Sequence, residues 1–329
     1  QIRYWLWHWF RHGIRWRGRY VALVASSRLI LVLGATGFLG SFVVRRMIID
    51  GYNVRILTRG SENWQDSRVQ EFRGKGIDVM IGDIFNDDSL KRSLEGVSGV
   101  VNLVGSFRES EEISYEKIHV EFLERLLALG ADAGTQRFVQ MSCLGATEES
   151  ECRYFRTRKQ AELLVEASKT LWTIFRPSFL FAERFPLLEL LRPLIKFKLF
   201  LPMIGSGTNK VQPVFAGDVA NCVSQSIFDR IHVGQSYELV GPDEFTMIEL
   251  LEMVRAEMGI GGPTMNIPSE FSSKTFNLVA KALPKSFFSK DFVGIFNQDS
   301  YGSQDVMLRH FEVRNNALDE YFPKIMESL

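Results

Sequence analysis

Acidic residues are missing from the first 49 positions of this 329-residue chain, although Asp and Glu together number 39 over its whole length. Lys and Arg also number 39, so the formal net charge is zero and no global field draws the protein to nucleic acid. Cysteine is scarce: the three present, Cys143, Cys152 and Cys222, have spacings that match neither a disulfide framework nor a zinc site. They read as reduced thiols of an intracellular or organelle-matrix compartment, and no metal site is expected. Also lacking is any uninterrupted apolar run of the roughly 18 to 20 residues that a membrane-spanning helix needs. Val21–Leu33 comes nearest and is cut by Ser26, Ser27 and Arg28. No internal repeat and no low-complexity tract is present. What remains, 46% hydrophobic and 24% charged residues, is the composition of a chain able to bury a sizeable core.

The acid-free start carries Trp5, Trp7, Trp9 and Trp16, interleaved with Arg3, Arg11, Arg15, Arg17 and Arg19. Such a stretch resembles an organelle transit peptide, although its tryptophans are unusual for one and its serines few. If retained, residues 1–27 suit a protein interface or a lipid headgroup region, where an amphipathic ring lies between apolar and wet surroundings.

From Arg28 onward the pattern alternates between strands and helices. Leu29–Leu33 is a continuous apolar run, as expected of a strand buried on both faces. Phe38–Asp50 has helical spacing. Further strands are predicted at Val54–Thr58, Val79–Ile81, Val100–Val104, Phe138–Met141, Thr173–Phe175 and Ser236–Val240, with helices over Ser114–Ala133, Arg158–Ala167 and Met247–Met258. Strands separated by helices imply right-handed crossovers and a parallel sheet. The expected fold is therefore α/β, a doubly wound parallel sheet of the Rossmann type with a smaller, mostly helical C-terminal part. Its expected boundaries are an extension at 1–27, a dinucleotide-binding domain at 28–180 to which 207–240 returns, and a smaller domain from 181–206 and 241–329. Phe185–Ile204, rich in Leu and Phe and broken by Pro186, Pro193 and Pro202, is expected either to pack on partners or a membrane edge or to lie over the cleft as a lid.

The strongest chemical signal is Gly34-Ala35-Thr36-Gly37-Phe38-Leu39-Gly40, set between a buried strand and a helix. In that position Gly34 allows a tight turn, Gly37 lets the backbone approach a pyrophosphate, and Gly40 permits close packing of helix on strand. The free N–H groups at the helix start, at Phe38 and Leu39, meet the phosphates. An acid at the end of the second strand would select NAD by its ribose hydroxyl; here the segment reads Leu57-Thr58-Arg59-Gly60. Arg59, helped by Thr58, suits a 2′-phosphate, so NADP(H) is the expected cofactor. Asp83, followed by Ile84, is placed to accept from the adenine amino group. Val104-Gly105 ends the fourth strand where close backbone contact with the cofactor is expected. His119 is read as a satisfied structural residue.

The run from Gly34 through Arg59, Asp83, Val104-Gly105 and Ser142 resembles the atypical short-chain dehydrogenases. More narrowly, Arg153-Tyr154-Phe155-Arg156, Arg176-Pro177-Ser178, Lys210 to Phe215 with Gly217-Asp218-Val219, and Tyr237 to Pro242 are similar to the family of dehydrogenase-like accessory subunits of respiratory complex I. The resemblance covers roughly residues 28 to 260. It implies a tightly held NADPH, contact with other complex I subunits and peripherally with the membrane, a place on the matrix side of the mitochondrial inner membrane near the quinone site, and a structural role. It also brings Pro177 into the cofactor set.

Catalytically active members of the resembled family use a Ser, a Tyr as proton donor, and a Lys four residues after the Tyr. Ser142 and Tyr154 match the first two, but Arg158 stands at the position of the Lys and Lys159 is one residue out of register. A guanidinium binds a ribose yet is a poor substitute in a proton relay. Ser142, Tyr154 and Arg158 are thus expected to be vestigial, contacting the cofactor without catalysis. The competing readings are an active NADP-dependent reductase or epimerase on a hydrophobic substrate, and an NADP(H)-sensing regulator.

Overall fold

A computed structural model describes residues 28–60, 67–189, 201–262, 264–267 and 290–328. The arginine- and tryptophan-rich start lies outside the described residues. Seven strands form one parallel sheet: β1 (Leu29–Leu33), β2 (Asn53–Thr58), β3 (Asp78–Ile81), β4 (Val97–Asn102), β5 (Arg137–Met141), β6 (Leu171–Pro177) and β7 (Gln235–Leu239). Their spatial order is β7-β6-β5-β4-β1-β2-β3. The chain therefore winds outward from β1 to β3, crosses back to β4 and winds the other way. The crevice at the carboxyl ends of β1 and β4, where the winding reverses, is where such sheets bind ligands.

The unbroken apolar run of β1 follows from burial on both faces. Ile30 and Val32 pack on one side with Val43 and Met47 of helix α1 (Phe38–Ile49) and Val219 and Val223 of α6 (Ala216–Ser226). Leu31 and Leu33 pack on the other side. There they meet Leu90 and Leu94 of α3 (Asp87–Leu94), Phe122 and Leu126 of α4 (Phe122–Asp132), and Ala161 and Val165 of α5 (Arg153–Ala167). At about 25 cal/mol per Å² of apolar surface removed from water, these two faces dominate the stabilisation of the sheet.

Three elements depart from the sequence expectation. The helix predicted from Arg158 starts at Arg153, which places Tyr154 in its first turn and Arg158 one turn on, along the same face. The helix predicted from Ser114 begins with a π-turn at Lys117–Glu121 before α4. The strand predicted as Val100–Val104 ends at Asn102, because the Asn102 side chain accepts the Val104 N–H at 3.2 Å and turns the chain out of the ladder.

A second core is built from Phe181, Phe185, Leu187, Leu188 and Met203 with Met247, Leu250 and Val254 of α7 (Met247–Glu257) and Phe296 of α8 (Lys290–Asn297). Helix α7 starts with a capping box, Thr246 and Glu249 satisfying each other's backbone N–H groups. Phe185, Leu187, Leu188 and Met203, from the described ends of the Phe185–Ile204 segment, are thus inside the chain's own core and not on a partner-facing surface. The middle of that segment lies outside the described residues. Among the described residues no helix is long and apolar enough to cross a membrane.

Candidate functional site

At the end of β1 the chain turns sharply through Gly34, whose φ is +78°. A Cβ at Gly34 would lie 3.0 Å from the Leu103 carbonyl. A Cβ at Gly40 would lie 2.1 Å from the Gly34 oxygen, so only glycine lets α1 sit this close to the turn. Gly37 donates to that same oxygen at 3.0 Å and is exposed. Helix α1 starts with no side-chain cap and no acid in its first turn. Its positive end, with the N–H groups around Phe38 and Leu39, therefore faces the crevice uncompensated. Thr36, half-buried, offers its carbonyl to Nη1 of Arg68, from the first turn of α2 (Ser67–Gly74).

Register brings the end of β2 to the same turn. Leu57 pairs with Leu33, so Thr58, half-buried, and Arg59, exposed, leave the strand beside Gly34. On the far side of β2, Asp83 follows β3, with one carboxylate oxygen accepting the Phe85 N–H at 2.9 Å and Ile84 half-buried next to it. Leu103 donates its N–H to the Leu33 oxygen at 3.1 Å, which brings Val104 and Gly105 past the glycine turn.

Beyond Gly105 lies a buried cluster. Arg158 is 8% exposed, donates from Nη1 to the Met141 carbonyl at 3.2 Å, and lies over the Tyr154 ring with 5.3 Å to its centre. Its other terminal nitrogen fills the space above Gly105, where a Cβ would be 2.0 Å away. Ser142, after β5, donates its backbone N–H to Phe175 at 2.7 Å and is buried. Tyr154 is 2% exposed and ringed by Phe107, Tyr115, His119 and Phe155, with ring centres 5.3 to 5.6 Å away. Arg153 fastens this enclosure: its guanidinium pairs with Glu109 at 3.0 Å and Glu116 at 2.6 Å, and its N–H donates to Asp291 of α8 at 2.6 Å. Pro177 is buried and its carbonyl accepts the Leu144 N–H at 3.2 Å.

Three buried polar atoms in this cluster have no protein partner: Nε of Arg158, Oγ of Ser142 and Nε2 of His119. Leaving such atoms unpaired costs on the order of 1–3 kcal/mol each, so a group able to donate and accept belongs among them. The hydroxyls of a ribose and a carboxamide have that character. The residues present fit a dinucleotide.

Electrostatics set the protonation states. Burial pushes the Tyr154 hydroxyl well above its ordinary value of 10.0, with Arg158 opposing but not reversing the shift. Burial pushes the Cys143 thiol up to about 12, again against Arg158. His119 is driven well below 6.5 by burial and then by Arg158, so its imidazole is neutral. Its Nδ1 shares a hydrogen bond with Thr157 Oγ1 at 2.9 Å. Because the folded-state value of Tyr154 lies above 10.0, the stability linked to its protonation is intact below about pH 10 and is lost as pH rises beyond it. Phenolate absorbance followed from about pH 7 to 10, with Tyr154→Phe as the difference standard, is expected to show no ionisation of this residue. A phenolate forming near neutral pH would mark an activated proton donor.

Lys159, one residue past Arg158, points into a different group: it pairs with Glu162 at 3.3 Å, which is fully buried and also accepts two bonds from Arg176 at 2.6 and 2.7 Å. The structure thus gathers Gly34 to Leu39, Thr58 and Arg59 around one turn, and Ser142, Tyr154 and Arg158 in one enclosure, with Leu103 and Val104 against the turn and Gly105 against Arg158. Arg68, Tyr115 and Arg153 are parts of this arrangement that the sequence reading did not assign. Arg153 had a signal in the Arg153-Tyr154-Phe155-Arg156 match; Arg68 and Tyr115 had none. Among the described residues no group of three or more His, Cys, Asp or Glu is placed to hold a metal.

The profile of the NmrA-like family matches residues 26–322. The mitochondrial NADH dehydrogenase (ubiquinone) 1 alpha subcomplex subunit 9 of Arabidopsis thaliana is 33% identical over 250 residues, 75% of this chain, which spans 61% of that relative's length. The mitochondrial NADH-ubiquinone oxidoreductase 40 kDa subunit of Neurospora crassa is 30% identical over 262 residues, 79% of this chain and 68% of the relative. The crystal structure of a Citrobacter triphenylmethane reductase complexed with NADP(H) shares the fold, with a TM-score of 0.69 at 18% identity, covering 91% of this chain and 100% of the other.

Proposed function

The chain belongs to the NmrA-like family of atypical short-chain dehydrogenases, and from that premise we propose that it is an NADP(H)-holding accessory subunit of mitochondrial respiratory complex I that does not turn its nucleotide over. The relatives named as mitochondrial complex I subunits support the assembly and a mitochondrial location, and to these the proposal adds a place on the matrix side of the inner membrane with contacts to other subunits near the quinone site. In this reading residues 28–180, to which 207–240 returns, hold the nucleotide, while 181–206 and 241–329 form the smaller part.

The glycine turn and the open start of α1 receive the pyrophosphate, Thr58 and Arg59 the 2′-phosphate, and Asp83 with Ile84 the adenine. Val104, Gly105, Ser142, Tyr154, Arg158 and Pro177 surround the nicotinamide end. Nicotinamide, when reduced, supplies a hydride donor. What the chain's own residues do there is hold it. Arg158 completes its donor set on the ribose, Ser142 its hydroxyl, and the aromatic ring around Tyr154 excludes water. A bound nucleotide stabilises the native state by mass action, about 4 kcal/mol at a thousandfold excess over Kd.

The observation that carries the non-catalytic half is Arg158. A proton donor must touch the substrate and lose its proton near neutral pH. Tyr154 is instead enclosed and held protonated, beside a guanidinium that does not bring its hydroxyl into the working range. The competing reading, a reductase on a hydrophobic carbonyl, draws on the presence of Ser142 and Tyr154 together. Native gel electrophoresis of gently solubilised mitochondrial membranes separates the two. Co-migration of this chain with complex I is expected, and a freely soluble protein at the mass of the single chain overturns the subunit reading.

A further inference from the structure

We infer that residues 291–302 form an autoinhibitory strap, which closes the Tyr154 enclosure against a substrate. The inference rests on the proposal that this enclosure holds the nicotinamide end of a dinucleotide, and it names what keeps a second reactant out. The strap is fixed at its first end to the start of α5. Cys152, the N-cap of that helix, makes no side-chain cap bond, so the first N–H groups need acceptors from elsewhere. Asp291 supplies one: its Oδ1 accepts the Arg153 N–H at 2.6 Å, while its carbonyl accepts the Cys152 thiol at 3.3 Å. A carboxylate there also meets the positive end of the helix. Gly294 lies so close that a Cβ on it would be 2.9 Å from that of Cys152. This approach brings Ile295, 2% exposed, into one apolar cluster with Tyr115, Tyr154 and Phe155. Gln298 lies over Gly145, on the loop after β5 that carries Ser142.

The second end is fixed by motif residues that the nucleotide site leaves unused: Ser178, Lys210, Gln212 and Gly241. Ser178 Oγ donates to the Ser300 carbonyl at 2.8 Å. The Ser300 N–H donates to the Lys210 carbonyl at 2.7 Å, and the Gln212 N–H donates to the Ser300 carbonyl at 2.9 Å. Gln212 Oε1 accepts the Gly302 N–H at 3.1 Å, and its Nε2 donates to the Gly241 carbonyl at 2.8 Å. Ser178, Gln212 and Ser300 are buried, so departure of the strap would leave desolvated groups without partners. Residues built to meet a ligand keep polar atoms free for it; these direct theirs at the strap. Held at both ends, the strap presents Ile295 to the aromatic residues around Tyr154, where a substrate for hydride transfer would have to lie.

The test is labelling of the full chain with N-ethylmaleimide, resolved by peptide and scored at Cys152, under the strap, and at Cys222, fully buried in α6. Losing a cap or a buried hydrogen bond shifts a local opening equilibrium by roughly tenfold. Asp291→Ala and Gln212→Ala are each expected to speed labelling of Cys152 by about that factor and to leave Cys222 as slow as in the wild type. Gln212→Ala decides, because its bonds are to the far end of the strap and to Gly241. Cys152 labelling that stays at the wild-type rate in Gln212→Ala overturns the inference. Equal acceleration at Cys222 marks loss of the whole fold, and hydrogen exchange of the wild type then settles the matter. There the amides of Arg153, Gln212 and Ser300 are expected to be protected and to open together; rapid exchange at Ser300 beside a protected Arg153 overturns the strap. Each of these failures leaves the nucleotide reading in place. NADPH oxidised by a carbonyl substrate in the wild type, with Cys152 still protected, overturns that reading and the barrier with it.

Discussion

Arg59→Glu is expected to lower NADP(H) affinity by roughly a hundredfold or more while leaving NAD(H) binding within a few fold of wild type. The residue leaves β2 beside the glycine turn and is exposed. A charge-assisted bond to a phosphate is worth about 1.5–3 kcal/mol, and each 1.4 kcal/mol is about tenfold in Kd. Glutamate removes that bond and adds repulsion between like charges, while offering its carboxylate to the ribose hydroxyls of NAD. Because the site is exposed, the effect should shrink as salt is raised. Titration of both nucleotides at two ionic strengths checks it, and unchanged NADP(H) affinity removes Arg59 from the 2′-phosphate.

The largest loss of stability is expected from Glu162→Gln. This carboxylate has no exposed side-chain surface and accepts both Nε and Nη2 of Arg176 as well as Nζ of Lys159. It lies one helical turn from Arg158, on the helix that also carries Tyr154. Removing one charge from a buried pair costs about 3–5 kcal/mol, because the other is left without compensation. Arg176 and Lys159 retain 24% and 21% side-chain exposure, so solvent recovers part of this and the expected loss is about 2–3 kcal/mol. Urea denaturation with an unchanged slope and a lowered midpoint is the expected result. A change below about 0.5 kcal/mol would place Glu162 among ordinary surface sites.

The sheet was legible in the sequence because its strands are buried on both faces and so read as apolar runs, and because glycines at 34, 37 and 40 mark the strand-to-helix turn. Boundaries were less so. Helix α5 starts at Arg153 after Cys152, which makes no side-chain cap bond, so neither a capping residue nor apolar spacing announces it. The π-turn at Lys117–Glu121 carries no periodic signature, yet it is the element that holds His119. The early end of β4 depends on one side chain, Asn102, turning back to its own backbone. Phe185, Leu187 and Leu188 looked like an interface because apolar residues around prolines have the same composition whether they face a partner or α7. Long-range contacts decide that choice. Arg68 was invisible for the same reason: its relation to Thr36 spans 32 residues and exists only once β1, β2 and α2 are assembled.

In the proposed reading this chain holds its nucleotide without using it. The most direct test is to load the purified chain, or the complex that contains it, with NADPH and follow its absorbance while hydrophobic carbonyl substrates are added. The expected result is retention of stoichiometric NADPH and no substrate-dependent oxidation, in the wild type and in Tyr154→Phe alike. Stoichiometric oxidation that depends on substrate and disappears in Tyr154→Phe would show Tyr154 to be a working proton donor and the chain a reductase.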